Sequence, residues 1–174
     1  MNKKPTEILS DEHKNILKVI GALEHECRLL QAGGEVDIDF FSQAIDFIRN
    51  YADKFHHAKE EDILFKEFCG HAEELHCNPV KQMLYEHDLG RGYVKDMEKA
   101  LLQNNKTLLA DNALKYTFLL KEHIFKEDNV LYPMADEALS SDVYEEMDKK
   151  FMEINSDYER RGLIRKYSDF ANSN

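Results

Sequence analysis

From Ser10 to Leu30 the apolar residues Ile16, Leu17, Ile20, Leu23, Cys27 and Leu30 recur at steps of three and four, with His13 on the same stripe. That is the period of one face of an α-helix. Ser10 offers a hydroxyl cap, Asp11 and Glu12 put acid in the first turn, and Gly33-Gly34 closes the segment. A second stripe through Phe41, Ala44, Ile45, Ile48, Ala52 and Phe55 predicts a helix from about Asp39 to Phe68. Its face does not run straight. At about 100° per residue, Leu64 and Phe68 sit nearly half a turn round from Phe41, Ile45 and Ile48. The inward side therefore rotates near His56-His57, through a wide apolar face, a bend or a bulge.

Gly70 to Pro79 reads as a loop, and a third helix is predicted from near Val80 to about Gln103, with a turn at Asn104-Asn105. Leu108 to Tyr132 reads as the fourth, stopped or kinked at Pro133. Asp142 to Tyr158 forms a shorter fifth helix with Val143, Met147, Phe151 and Ile154 on one face. No segment alternates as a strand does. The expected fold is all-α: one domain over 1–174, with an up-down four-helix bundle over about 6–138 and an additional C-terminal helix at about 142–160 packed outside it.

Composition narrows the function. The chain has 174 residues, enough for one domain with a real core. With 23 Lys+Arg against 34 Asp+Glu the formal charge is −11, which argues against a nucleic-acid partner, since phosphate neutralisation needs clustered cations. No apolar run is long enough for a signal peptide or a membrane span. Cys27, Cys69 and Cys77 are odd in number and lack the spacing of a disulfide framework, so reduced thiols and a cytoplasmic setting are expected. Gly-rich phosphate loops and serine-nucleophile motifs are missing from the chain. The eight histidines are what stands out.

Placed on the helices, the histidines repeat: Glu12-His13, then His57-Ala58-Lys59-Glu60-Glu61, then Glu86-His87, then His123-Ile124-Phe125-Lys126-Glu127. The order is His, HxxxE, His, HxxxE. Residues four apart on a helix lie about 5 to 6 Å apart at Cβ, so the imidazole and carboxylate of each pair can reach one point. Two such pairs and two lone histidines offer four imidazoles and two carboxylates, more than one tetrahedral zinc accepts. A carboxylate can bridge two ions, so Glu61 and Glu127 could each touch both. Imidazole and carboxylate without thiolate suit iron, manganese or zinc. Iron is preferred here, because an open two-metal site in a bundle fits dioxygen chemistry. His56/Glu60 competes with His57/Glu61 at the same spacing, and Asp128 competes with Glu127. Cys69, His71, His76 and Cys77 form a second cluster whose spacing fits no common zinc finger. His25 reads as a partly exposed helix residue.

At these residues the chain resembles the hemerythrin-like, or HHE cation-binding, family, over roughly Thr6 to Met134. Its strongest words are FHHAKEEDILF and KEHIFKEDNVLYPMA. The resemblance implies a four-helix bundle around a non-haem di-iron centre, with a hydrophobic pocket beside it for oxygen or a similar small molecule. Carried over, His13, His57, His87 and His123 would be iron ligands and Glu61 and Glu127 the bridging carboxylates. Oxygen-carrying hemerythrins have a further histidine four residues after the lone one on the third helix, where this chain has Arg91. Water, or a tyrosine from Tyr51, Tyr85, Tyr93 or Tyr116, would fill the missing position. The function expected is binding of a small diatomic or peroxide ligand, for sensing, storage or detoxification. With no output domain beside the site, signalling would run through a separate protein partner. The rival readings are a di-iron enzyme acting on peroxide or nitric oxide or donating iron for cluster repair, and a metal-free interaction bundle.

Overall fold

The computed structural model describes residues 3–71 and 78–173, and among them every regular element is helical. Helix α1 (Pro5–Gln31) is capped at Lys4, six residues before the Ser10 cap that the sequence suggests. Pro5 occupies the first helical turn, where its missing N–H costs nothing, and the Glu7 carboxylate accepts from Lys4 N at 2.8 Å. Ser10 is thereby inside the helix, and its hydroxyl is spent on Asp128. Gly33, at φ 94°, takes the left-handed turn that ends α1.

The second arm begins at α2 (Ile38–Phe47), capped by Asp37 Oδ1 accepting from Phe40 N at 2.9 Å. It runs on through two π-helical segments, π1 (Ile48–His57) and π2 (Glu60–Leu64), into α3 (Phe65–His71). The rotation of the apolar face is thus a pair of π-coiled stretches. A π-turn takes an extra residue per hydrogen-bonded ring, so the residues after it swing round the axis relative to those before it.

The third and fourth arms are α4 (Asn78–Leu102) and α5 (Lys106–Lys126), the latter capped by Asn105. After α5 comes π3 (Glu127–Leu131) and then α6 (Tyr132–Ala138). Pro133 therefore does not stop the arm: it sits in the first turn of α6, directly after a π segment that has already loosened the regular ladder. α7 (Ser141–Arg160) covers the expected fifth helix, and α8 (Leu163–Ser173), which the sequence reading did not include, returns along α1.

Neighbouring arms pack in the cyclic order α1, α2/α3, α4, α5/α6, the arrangement of an up-down four-helix bundle. The core is divided. One apolar block holds Ile20, Phe41, Phe47, Met97 and Ala113, closed by Tyr167 and Ala171 of α8. The other holds Leu9, Leu64, Phe68, Met83 and Leu131, closed by Met147 and Phe151 of α7. Between them lies a buried polar layer. No helix among the described residues is long and apolar enough to cross a membrane.

Phe47 ties α8 to the bundle, with its ring 5.8 Å from Tyr167 and 6.0 Å from Phe170. Phe47→Ala should lower unfolding stability by about 3–5 kcal/mol, the usual cost of emptying a filled aromatic site. Urea denaturation of the purified variant measures it, and a loss under about 1 kcal/mol would mean that α8 does not depend on this contact.

Candidate metal centre

Four arms deliver side chains to one level of the bundle. His13 comes from α1, His56 and His57 from the end of π1, Glu60 from the start of π2, His87 from α4, and His123 and Glu127 from the α5–π3 junction. All seven are buried. Their candidate ligand atoms gather in two groups, each with its atoms within 4.8 Å of one another: His57, Glu60, His87, His123, and His13, His56, Glu60, Glu127.

The two carboxylates join the groups. Glu60 sets Oε1 3.7 Å from His56 Nε2 and Oε2 3.5 Å from His87 Nε2. Glu127 sets Oε1 3.1 Å from His123 Nε2 and Oε2 3.4 Å from His13 Nε2. Each acid offers one oxygen to each side. His87 Nε2 and His123 Nε2 are 3.0 Å apart and converge on the same space.

Behind each imidazole stands a second acid. His13 Nδ1 is 3.0 Å from Asp128, His56 Nδ1 3.0 Å from Glu12, His87 Nδ1 2.7 Å from Glu61, and His123 Nδ1 2.9 Å from Glu86. His57 Nδ1 approaches Asp53 less closely, at 3.5 Å. A carboxylate at Nδ1 holds that nitrogen as the N–H donor and leaves Nε2 to face the interior. Cations and a hydroxyl close the outside: Lys59 on Glu12, Lys126 on Glu86, Arg91 on Glu61 and Asp53 at 2.7 Å each, and Ser10 on Asp128 at 2.6 Å.

The two halves of the chain build this alike. KEEDILF at 59–65 aligns with KEDNVLY at 126–132, setting Glu60 against Glu127, Glu61 against Asp128 and Phe65 against Tyr132. Glu61 backs the lone histidine His87 as Asp128 backs the lone histidine His13. Phe65 stacks on His87 at 6.0 Å and Tyr132 on His13 at 5.7 Å. His57 has no counterpart, because Ile124 stands in its place, so one group has three imidazoles and the other two.

Five of the six residues singled out from sequence, His13, His57, His87, His123 and Glu127, lie in these groups. Glu61 lies outside both, held by His87 Nδ1 and Arg91, and Glu60 occupies the inward position. His56, the competitor, is as deeply placed as His57. The alignment of KEEDILF with KEDNVLY was the available signal for Glu60. Asp128 faces His13 Nδ1 from the outer side. Tyr132, not singled out, donates to Glu60 Oε1 at 2.5 Å. Of the second cluster, Cys69 and His71 lie at the end of α3, while His76 and Cys77 fall outside the described residues. His25 is exposed.

Protonation follows the burial. His56 and His57 are held well below the ordinary imidazole value by burial and by the neighbouring rings His13 and His87 respectively, so both are neutral. Burial opposes charge on His13 and His123 too, but acids outweigh it: Asp128 and Glu127 raise His13, and Glu127 and Glu86 bring His123 up to about 9. Burial and the charge of Glu127 push Glu60 well above the carboxylate range. On Glu127 burial is outweighed by His123 and His13, which hold it well below that range. Protons on His13, His123 and Glu60 thus stand where cations would otherwise neutralise the acids.

The donor set fits a metal. His56 Nε2 and Glu60 Oε2 are buried without a hydrogen-bond partner, and the oxygens of Glu127 are faced only by the imidazoles of His123 and His13. Unpartnered polar atoms of that kind are costly in a core, and a coordinated cation is one way to satisfy them together. Beside the three-imidazole group lies a cavity of about 130 Å³, walled by Ile48, Val94, Leu119 and Leu120 and reached by His57, His87, His123 and Tyr116.

The family model described as the hemerythrin HHE cation-binding domain matches residues 4–135. Among curated proteins and among solved structures, nothing matches the chain.

Two predictions follow from the layering. Glu60→Ala should lower the number of divalent ions bound per chain, whereas Glu61→Gln should keep the number and weaken affinity roughly 10- to 100-fold, as loss of an outer partner does; metal analysis after equilibrium dialysis separates the two. His123, raised above its ordinary 6.5 to about 9, contributes stability to the metal-free fold below pH 6.5 that is lost as pH climbs through about 9. Ligation needs that proton gone, so metal uptake near pH 7.5 should release protons, read by calorimetry in buffers of different ionisation enthalpy.

Proposed function

The chain belongs to the hemerythrin HHE cation-binding domain family, and from that premise we propose that it holds two non-haem iron ions and binds dioxygen or a related small ligand, a diatomic or a peroxide, in sensing, storage or detoxification. The observation that carries this reading is the sharing of Glu60 and Glu127 between the two groups, one oxygen to each side. In the proposal His57, His87 and His123 hold one ion, His13 and His56 hold the other, and the two acids span both.

Imidazole and carboxylate donors without thiolate favour iron over a structural zinc, with manganese or zinc as lesser candidates. A pair of ferrous ions would supply two electrons to a bound diatomic. The chain's own residues do the rest. Asp128, Glu12, Glu61 and Glu86 hold four rings by Nδ1, which fixes the tautomer and aims Nε2 inward. The apolar blocks above and below keep bulk water from the buried donors. The two-imidazole side has fewer protein donors, leaving room for water, and Tyr132 lies 3.5 Å from His13 Nε2 there. Cys27 is buried, its thiol pushed up to about 12 by burial and nearby acids, so it stays an inert thiol outside the donor set.

Anaerobic reconstitution with ferrous iron should give two ions per chain, and dioxygen, nitric oxide or peroxide should then produce a new near-ultraviolet and visible band. Uptake well below two with no band on any of the three ligands refutes the proposal. Continuous consumption of peroxide or nitric oxide in place of a lasting band would identify an enzyme on the same ligand set.

A further inference from the structure

We propose that the outer face of α5 (Lys106–Lys126) is a self-association surface, on which a second copy of the chain docks antiparallel about a two-fold axis. The pairing needs no metal, so it stands apart from the di-iron reading.

α5 is apolar on two sides. Its inner side buries Leu109, Ala113, Tyr116, Leu120 and Ile124, while its outer side exposes Leu108, Phe118 and Phe125 at 47%, 71% and 62%. A helix that meets a core on one side only carries polar residues on the other. Phe118 and Phe125 are two turns apart, so they stand about 10 Å apart along the axis and about 20° apart round it. With Leu108 they form one stripe. It differs from the apolar side chains exposed singly elsewhere, such as Leu102 at the end of α4 or Met152 on α7. α7 and α8 make their main contacts with α1 and the second arm, away from this face.

Charge identifies the occupant. Lys115 and Glu122 lie on the same stripe, one turn before and one turn after Phe118, and neither has an ion-pair partner among the described residues. The neighbouring cations are taken: Lys121 holds Glu24 at 2.6 Å and Lys126 holds Glu86. An antiparallel copy related by a two-fold axis level with Phe118 sets Lys115 of each chain against Glu122 of the other. One symmetry operation thus pairs all the free charges of the stripe's centre. The same operation sets Phe118 against its own symmetry mate and brings Phe125 to the other chain's Leu108–Asn112 turn. A lipid surface fits less well, since Asp111 and Glu122 interrupt the stripe and a net charge of −11 is repelled by anionic headgroups. One helical face per chain is a small interface, which corresponds to a reversible dimer in the micromolar range.

Sedimentation equilibrium of the full chain, from about 1 to about 200 µM, reads the association directly. In about 0.15 M salt the repulsion between two acidic chains is screened beyond about 8 Å. Wild type should pass from monomer to dimer across that range. Phe118→Ser should weaken the dimer by about tenfold or more, as loss of a central aromatic does. Lys115→Glu alone and Glu122→Lys alone set like charges together, and each should weaken it about tenfold. The double variant Lys115→Glu with Glu122→Lys should return to the wild-type association, because the swap restores both cross-chain pairs. All the replaced side chains are exposed, so the circular dichroism of each variant should match wild type. Wild type monomeric throughout the range overturns the proposal and leaves the stripe to a different protein. A dimer that tolerates Phe118→Ser and both single charge changes also overturns it, since the contact then lies elsewhere. A double variant as weak as the singles overturns the antiparallel pairing.

Discussion

Two carboxylates, Glu60 and Glu127, are fully buried at the middle of a helical core, and the rest of the structure answers to them. An ionised acid cannot remain in such surroundings without nearby positive charge or a proton. The metal-free fold offsets the pair with protons: Glu60 is kept neutral, Glu127 is kept charged, and His13 and His123 are kept protonated. A cation would make the same offset and would also satisfy His56 Nε2 and Glu60 Oε2, which the protons leave without partners. A site of this kind is poised for metal because its own charge balance is provisional.

The balance extends outward in layers. Inward nitrogens face the two acids, outward nitrogens face a second set of acids, and Lys59, Lys126 and Arg91 face those. Lys59 is itself buried, packed over the Phe55 ring at 3.5 Å, so its charge lies within the core. Each layer locks the rotamer of the one inside it, which is what holds donor atoms at ligand spacing before any ion arrives. The layering also explains Arg91. On α4, one turn beyond His87, it grips Glu61 and Asp53, the two acids that back His87 and His57. The fifth imidazole comes from the second arm, where His56 and His57 stand side by side.

A polar layer of this depth divides the core, and each apolar block is closed by a C-terminal helix. Met147 and Phe151 of α7 seal the block around Leu64, while Tyr167 and Ala171 of α8 seal the block around Phe47. The site therefore depends on packing well outside the four arms that carry its histidines and glutamates.

The helical period, the turns at Gly33-Gly34 and Asn104-Asn105 and the His, HxxxE, His, HxxxE order were legible along the chain, because periodicity and spacing are local properties, while most of the Gly70 to Pro79 loop lies outside the described residues. The rotation of the second arm was legible too, as stripes half a turn apart, though not its form. What the sequence alone left open was which of two adjacent pairs turns inward. His56/Glu60 and His57/Glu61 have the same spacing, and a regular helix would direct neighbours about 100° apart. The π coiling of Ile48–His57 and Glu60–Leu64 buries both histidines and Glu60 and leaves Glu61 to His87 and Arg91. That outcome depends on hydrogen bonds five residues apart and on packing against α1, α4 and π3, so it was decided in three dimensions. The backing of Glu12 on His56 and of Glu86 on His123 was hidden for the same reason: sequence shows each acid beside its own neighbour, and only tertiary structure shows it reaching across to another arm.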